Sequence, residues 1–483
     1  MKANSQTDKN SGLAHWMMEV PRQAAKTAAG FDSEAVHDLR VALRRCRSMA
    51  DGFRTIDPDK NWKKMRRQAT SLFDSLGALR DCHVLMEWVE KLGAKDDLIA
   101  GKLLDHLRQQ EPDLQKEANA AIEKFDGKQW QQWTRFLPRR TERLPVGSEV
   151  FQTLALERLD AARRIQSSAL RTSGPVAFHR LRIGLKKFRY VVENFLPQRH
   201  EAWKEDLKRL QDLLGEIHDL DVLEEVVAQV CGTASYELRK RWDQMIANER
   251  RGRVEQYRER MSSDKSLWTL WRSALPRGRA ARTASLKRLQ VWSSFLDSDT
   301  RHSRRVARFA LQVYDGLLRT GVIHHDQKND REILRAAAIA HEVGRAAGDK
   351  NHHKKTENMI DELDHLPGWT AQDVRLMARV ARFHRGALPR AAKLHDLALA
   401  QRHRVTLLAG ILRLANALDA EHDGAIRRVA VTKNDGFVIL RADGLQAQSS
   451  LAETIAGARH LLETTCRLPV LVRPSPRHRT RRL

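Results

Sequence analysis

Residues 37–53 read HDLRVALRRCRSMADGF and residues 179–195 read HRLRIGLKKFRYVVENF. Each stretch opens on His, sets Arg three positions later, a basic pair seven and eight later, Arg ten later and Phe sixteen later. A second match follows each one: LGALRDCHVL at 76–85 and LGEIHDLDVL at 214–223. The first pair is offset by 142 residues and the second by 138, so the second copy is four residues shorter between its matched blocks. Two matches in the same order mark a duplicated helical unit. Two copies of one unit predict pseudo-twofold packing about a shared interface.

At about 100° per residue on a helix, Arg40, Arg44 and Arg47 fall within ~80° of His37. Leu39, Ala42, Leu43, Cys46, Ala50 and Phe53 fall on the far side. The second copy repeats both faces, with His179, Arg182, Lys186 and Arg189 against Leu181, Leu185, Phe188, Val192 and Phe195. Each copy is therefore expected to have one core face and one narrow cationic stripe without carboxylates. A solvated face normally mixes signs, because acid–base pairs one turn apart stabilise a helix and like charges there weaken it. Like charge at matched offsets in both copies points instead to a ligand.

A phosphate polymer fits, since guanidinium forks bind phosphate oxygens bidentately and Lys adds a point charge. The candidate contacts in the first copy are His37, Arg40, Arg44, Arg45, Arg47 and Arg66. Those in the second are His179, Arg182, Lys186, Lys187, Arg189, Lys204 and Lys208. The histidines rank behind the arginines. Arg66 and Lys204 match under the second offset, whereas Lys208 matches Thr70. Asp81 and Asp219, the matched acids, read as helix-positioning partners for basic neighbours.

Composition agrees. The 483 residues include 86 Lys plus Arg against 61 Asp plus Glu, a net charge of +25, which calls for a polyanionic partner. Nucleic acid is a partner on this ground only as a non-specific polyanion. A hydrophobic fraction of 41% excludes wholesale disorder, and 6% aromatics with 25 Gly and 13 Pro favours helices over a β-sandwich. Cys46, Cys82, Cys231 and Cys466 form no CxxC pair, which fits a reducing compartment. The polar first ten residues and the lack of any long apolar run predict a cytoplasmic protein without a signal peptide or membrane span. No GxSxG, GxxxxGK[ST] or GxGxxG loop is present.

Ala274 to Thr283 (ALPRGRAART) reads as a linker. Beyond it the pattern is helical to about His422. Val429 and Val431, then Asn434-Asp435-Gly436, then Val438 and Leu440 read as two short strands joined by a turn. One last helix is expected at about 449–465. Arg473 to Leu483 reads as a mobile basic tail.

The doubled motif resembles the CHAD family, the conserved-histidine α-helical domain, over roughly residues 12–270. That resemblance implies two four-helix bundles about a pseudo-twofold axis, in copies of about 12–135 and 150–270. It also implies a basic central channel for inorganic polyphosphate, lined by the stripe residues; Thr70 and His218 depart from the family pattern.

In the C-terminal half, His302, His341-Glu342, His352-His353, His384 and Asn416 follow in an order that resembles the HD superfamily of metal-dependent phosphohydrolases. HEVG, the His-His pair, FHRG and HDGAIRRVAV are more narrowly similar to the C-terminal helical region of exopolyphosphatases and guanosine pentaphosphate phosphatases, over about 285–472. The HD likeness implies a divalent cation, with His302, His341, Glu342 and His384 as the candidate ligands. Glu342 stands where that family has Asp, and Asn416 where it has a second Asp.

The expected layout is mainly α. A duplicated domain occupies 12–270, a linker 271–284, an all-α HD-like domain 285–422, a small α+β extension 423–472 and a basic tail 473–483. The leading expectation is a non-catalytic polyphosphate-binding protein that needs no cofactor and gathers at polyphosphate granules. A metal-dependent phosphohydrolase and a nucleic-acid binder are the alternatives.

Overall fold

The computed structural model describes residues 12–31, 33–94, 96–231, 236–262, 266–324, 329–363, 366–434, 436–446 and 449–475. Two compact units divide the chain, Met1–Ala280 and Ala281–Leu483.

The first unit contains α1 (Leu13–Gly30), α2 (Ser33–Arg54), α3 (Lys60–Leu92), α4 (Leu98–Glu123) and α5 (Gly127–Thr141). It then repeats them as α6 (Glu149–Thr172), α7 (Pro175–Phe195), α8 (Pro197–Cys231), α9 (Tyr236–Met261) and α10 (Leu267–Ser273). Asp59, Asp97 and Asp126 start α3, α4 and α5 by accepting backbone N–H bonds that a helix leaves open. In each copy four longer helices pack in sequence and the shorter fifth closes the bundle against the first.

The copies meet through matched helices, α2 on α7 and α3 on α8, as a pseudo-twofold relation requires. The apolar faces read from the motifs are buried in both copies. Phe53 and Phe195, the matched ends of the two motifs, meet edge to face with ring centroids 5.1 Å apart, and Phe195 also stacks on Phe151. Gly52 permits this contact, because a Cβ there would lie 2.4 Å from Cε2 of Phe195. Beside it, Asn194 Nδ2 donates to Ser48 Oγ at 2.8 Å. A second cluster packs Cys82, Leu85 and Trp88 with Leu220, Leu223 and Trp242.

The second unit holds α11 (Gly278–Leu296), α12 (Thr300–Arg319), α13 (Asp330–Ala340), α14 (His352–Asp361), α15 (Ala371–Arg382) and α16 (Leu399–Ala417). Strands β1 (Arg428–Asn434) and β2 (Phe437–Asp443) follow, then α17 (Ser450–Ala458), α18 (His460–Cys466) and β3 (Val470–Pro474). Its core joins residues of α12, α13, α15 and α16, among them Phe309, Ile333, Met377 and Leu408. β1 and β2 pair antiparallel with Asn434 opposite Phe437. Val429, Val431, Val438 and Leu440 are buried, as their alternation predicts. Gly436 takes a positive φ of 78° in the turn, while Asp435 lies outside the described residues.

Three expectations are corrected. The segment 271–284 is largely helical, carrying the end of α10 and the start of α11. The start of α11 buries Ala281, Ala284 and also Arg282, whose guanidinium pairs with Asp373 and lies over Trp369, so an Arg-rich composition hides a packed helix face. The single helix expected at 449–465 is broken at Arg459, which lets Leu461 and Leu462 pack against α16 and the chain return as β3. β3 pairs parallel with β2, Val470 opposite Val438, so Arg473 is a strand residue. The rest of the expected tail, 476–483, lies outside the described residues.

Candidate functional site

The stripes of α2 and α7 act on one shared space. Burial first, then the charges of Arg182, Arg44, Arg40 and Arg47, pull the Lys186 ammonium down to a pKa of about 7. Three of those four arginines belong to the other copy. Arg40 is anchored, with Nη1 donating to the Phe73 carbonyl at 3.1 Å and its guanidinium over the Phe73 ring at 4.3 Å. Arg47 stacks on the same ring at 4.3 Å and pairs with Asp74 at 3.6 Å.

The stripes are not free of carboxylates, as the wheel had suggested. Arg45 turns to Glu193 at 2.5 Å and to Asn194 at 3.0 Å, and Arg189 reaches Glu193 at 3.8 Å. Arg66 pairs with Asp51 at 2.6 Å and Lys204 with Glu201 at 2.8 Å. Glu193 and Glu201 stand one turn from Arg189 and Lys204 on the same helices, beside the stripe, whereas Arg45 and Arg66 find their carboxylates on other helices, which a single-helix reading does not show. Arg44, Arg182 and Lys186 remain without a hydrogen bond or ion pair to the described residues, and Arg182 Nε is buried.

The edges of the space are mixed. Lys187, Lys208 and His37 are exposed. His179 is half-buried with its ring 4.7 Å from that of His218, and its Nδ1 lacks a partner. Burial, then Arg182, His179 and Lys186, lowers His218 to about 4. Asp219 is raised to about 6, chiefly by burial, with Arg182 opposing that shift and Asp81 reinforcing it. The matched acids thus bear on each other as well as on basic neighbours.

In the second unit the histidines of the C-terminal motifs converge. His302 stands in the first turn of α12, His341 and Glu342 just past α13, His352 at the start of α14, His384 just past α15 and Asn416 in the last turn of α16. Gly344 brings these segments together: a Cβ there would lie 2.1 Å from the His352 carbonyl oxygen. Thr356 fixes the approach, accepting from Gly344 N at 3.0 Å and donating to the His341 carbonyl at 3.1 Å.

Glu342 Oε1 lies 3.6 Å from His341 Nε2 and 3.5 Å from both His352 Nε2 and His384 Nε2. Its other oxygen is taken by Arg345. Asn416 Oδ1 lies 3.0 Å from His302 Nε2 and 3.2 Å from His341 Nε2. Burial holds His341 well below its usual pKa and takes His384 to about 3. A cavity of about 390 Å³ opens over the cluster, lined by Glu342, His384 and Asn416 and by Arg345, Arg385 and Arg413.

All four sequence candidates for metal ligation therefore come together, and His352 joins them. Its place in the tandem His352-His353 carried no spacing that could single it out. Asp419 does not enter the centre in compensation for Asn416. It sits behind His302, accepting from Nδ1 at 2.8 Å and from Arg305 at 2.7 Å.

The family model for the CHAD domain matches residues 13–228, and that for the Ppx/GppA phosphatase, domain III, matches residues 281–452. The chain joins a CHAD domain to a Ppx/GppA domain III. The CHAD match ends within α8, while the compact unit continues through α9 and α10. No curated protein matches the chain. Both domains point to a polyphosphate-related function. Among the described residues no helix is long and apolar enough to cross a membrane.

Proposed function

We propose that the chain binds inorganic polyphosphate between α2 and α7 of its CHAD domain and serves to recruit or organise that polymer without hydrolysing it there. The observation that carries the reading is the cluster of Arg44, Arg182 and Lys186, which face a common space and have no partner among the described residues. Crowding like charges in a half-buried space is costly, and Asp219 is the one acid among the described residues that bears on both Arg182 and Lys186, so such a cluster is kept for an anion. A phosphate chain supplies closely spaced charges that guanidinium groups bind well.

The test is polyphosphate affinity of the Arg44→Glu, Arg182→Glu double variant, with circular dichroism as the control for helix content. A loss of at least a hundredfold is expected, because two cations become repulsive. Wild-type affinity in a folded double variant would remove the space between α2 and α7 from consideration. Competition by DNA at matched phosphate concentration addresses the nucleic-acid alternative, which expects the two polymers to compete equally.

A phosphohydrolase in the Ppx/GppA domain is the second reading, favoured by the histidine cluster and its arginine-lined cavity. Its test is turnover of polyphosphate, guanosine pentaphosphate and a phosphodiester with Mg²⁺ and Mn²⁺. Turnover that disappears in a folded His341→Ala variant would move the function to that domain.

A further inference from the structure

We propose that Phe73 is a positioning residue that holds Arg40 and Arg47 ready for phosphate, and that Gln211, its counterpart, leaves Arg182 and Arg189 to be ordered by the ligand. The inference rests on polyphosphate binding between α2 and α7, and it gives the two copies unequal parts in that binding.

Matched positions carry the argument. Under the offset of 138, Phe73 of α3 corresponds to Gln211 of α8; under that of 142, Arg40 and Arg47 correspond to Arg182 and Arg189. In the first copy one ring serves two guanidinium groups, each 4.3 Å from its centroid. The ring is half-buried and forms no part of the core. Stacking occupies the flat faces of a guanidinium, whereas phosphate oxygens are bound by the N–H groups along its edges. Phe73 therefore restrains both side chains and leaves donors for an anion. Arg40 gives one N–H to the Phe73 carbonyl, and its Nη1 lies so close to α3 that a Cβ at Gly77 would be 3.3 Å from it. The contact of Arg47 with the exposed Asp74 is long, at 3.6 Å.

The second copy lacks these restraints. Gln211 offers no ring, and among the described residues no aromatic lies under Arg182 or Arg189. A Cβ at Gly215, the counterpart of Gly77, would meet nothing within 4 Å, so Arg182 does not lie against α8 there. Arg182 Nε and Gln211 Oε1 are both buried without a hydrogen-bond partner, although the two residues line one narrow pocket with Lys186 and Arg189. A donor and an acceptor that share a pocket without bonding mark side chains that the fold has not fixed. Immobilising a long side chain on binding costs roughly three- to tenfold in affinity. Folding has already ordered Arg40 and Arg47, whereas Arg182 and Arg189 are ordered only as the polymer arrives.

The experiment titrates the full-length protein with inorganic polyphosphate at low salt, where weakened variants still bind, and uses circular dichroism as the folding control. Phe73→Gln, which gives the first copy the side chain of the second, should weaken binding about tenfold. Phe73→Tyr keeps the ring and should stay within about twofold of the wild type. In an Arg40→Gln, Arg47→Gln background the further change Phe73→Gln should cost less than about twofold, since Phe73 acts through those two arginines. A merely structural role would give an equal loss in both backgrounds, and that result would overturn the proposal. Unchanged affinity of a folded Phe73→Gln protein would do the same. Gln211→Phe supplies the missing ring and should tighten binding severalfold; unaltered affinity would overturn the assignment for the second copy. Gln already occupies the matched place in this fold, so Phe73→Gln decides the matter even where Gln211→Phe does not fold. No binding by the wild type would overturn the proposed function together with this inference, whereas wild-type binding that Phe73→Gln leaves intact overturns the inference alone.

Discussion

Lys186 holds a charge against burial and four guanidinium groups, and that makes it a reporter of the proposed ligand. With its pKa at about 7 instead of the usual 10.5, the folded protein binds fewer protons here than the unfolded chain does between those values. Stability of the free protein therefore rises as pH climbs from 7 to 10.5. Affinity for a polyanion moves the other way, because the ammonium is the form that meets phosphate. Polyphosphate binding is expected to weaken about tenfold from pH 6 to pH 8, in line with the loss of one charge-assisted hydrogen bond. Lys186→Met should bind more weakly at pH 6 and lose most of that pH dependence, which titration at the two pH values would show. Arg182, Arg44, Arg40, Arg47 and Asp219 surround the group, and Asp219, at about 6, adds a smaller term of the same sign as it ionises. The stripe itself was legible in the sequence, since its offsets recur in both copies. Which of its members are free was not, because Asp74 and Asp51 reach Arg47 and Arg66 from other segments of the chain.

Helices α2 and α7 together form the binding element, and its salt response follows from how many cations it can commit. Single-stranded polyanions give a log–log slope of about −0.7 per phosphate neutralised. Arg44, Arg182 and Lys186 alone imply a slope of about −2, and recruitment of Arg40, Arg47 and Arg189 brings it to about −4. Isotherms across a salt series should fall within that range; a flat response would mean that something other than this element holds the polymer. Elements with a strong period were legible: the helices of the duplicated unit, and the hairpin of β1 and β2. β3 was not, because Val470, Leu471 and Val472 are a run too short to separate from a loop without the strand that pairs with it. The histidine cluster was half legible. His302, His341, Glu342 and His384 were the candidates the family order singled out, while the tandem His352-His353 left open which of the two joins them until the close approach at Gly344 brings in His352.

Across the whole molecule, each unit has its own hydrophobic core. Calorimetry of the intact chain is expected to resolve two unfolding transitions. Polyphosphate should raise the midpoint of one and leave the other where it was, since a ligand stabilises only the fold that binds it. A common shift of both transitions would contradict a site confined to one unit. The duplication also carries a history at Gly52, whose counterpart under the first offset is Asn194. Were a second α7 to take the place of α2, the Asn194 side chain would be driven into the ring of Phe195, where Gly52 leaves room. Asn194 now spends its amide on Ser48 and Arg45 of the opposite helix. The two halves have diverged into unlike partners, so the ancestral self-pairing is closed to the second of them, and the fusion has become a one-way step.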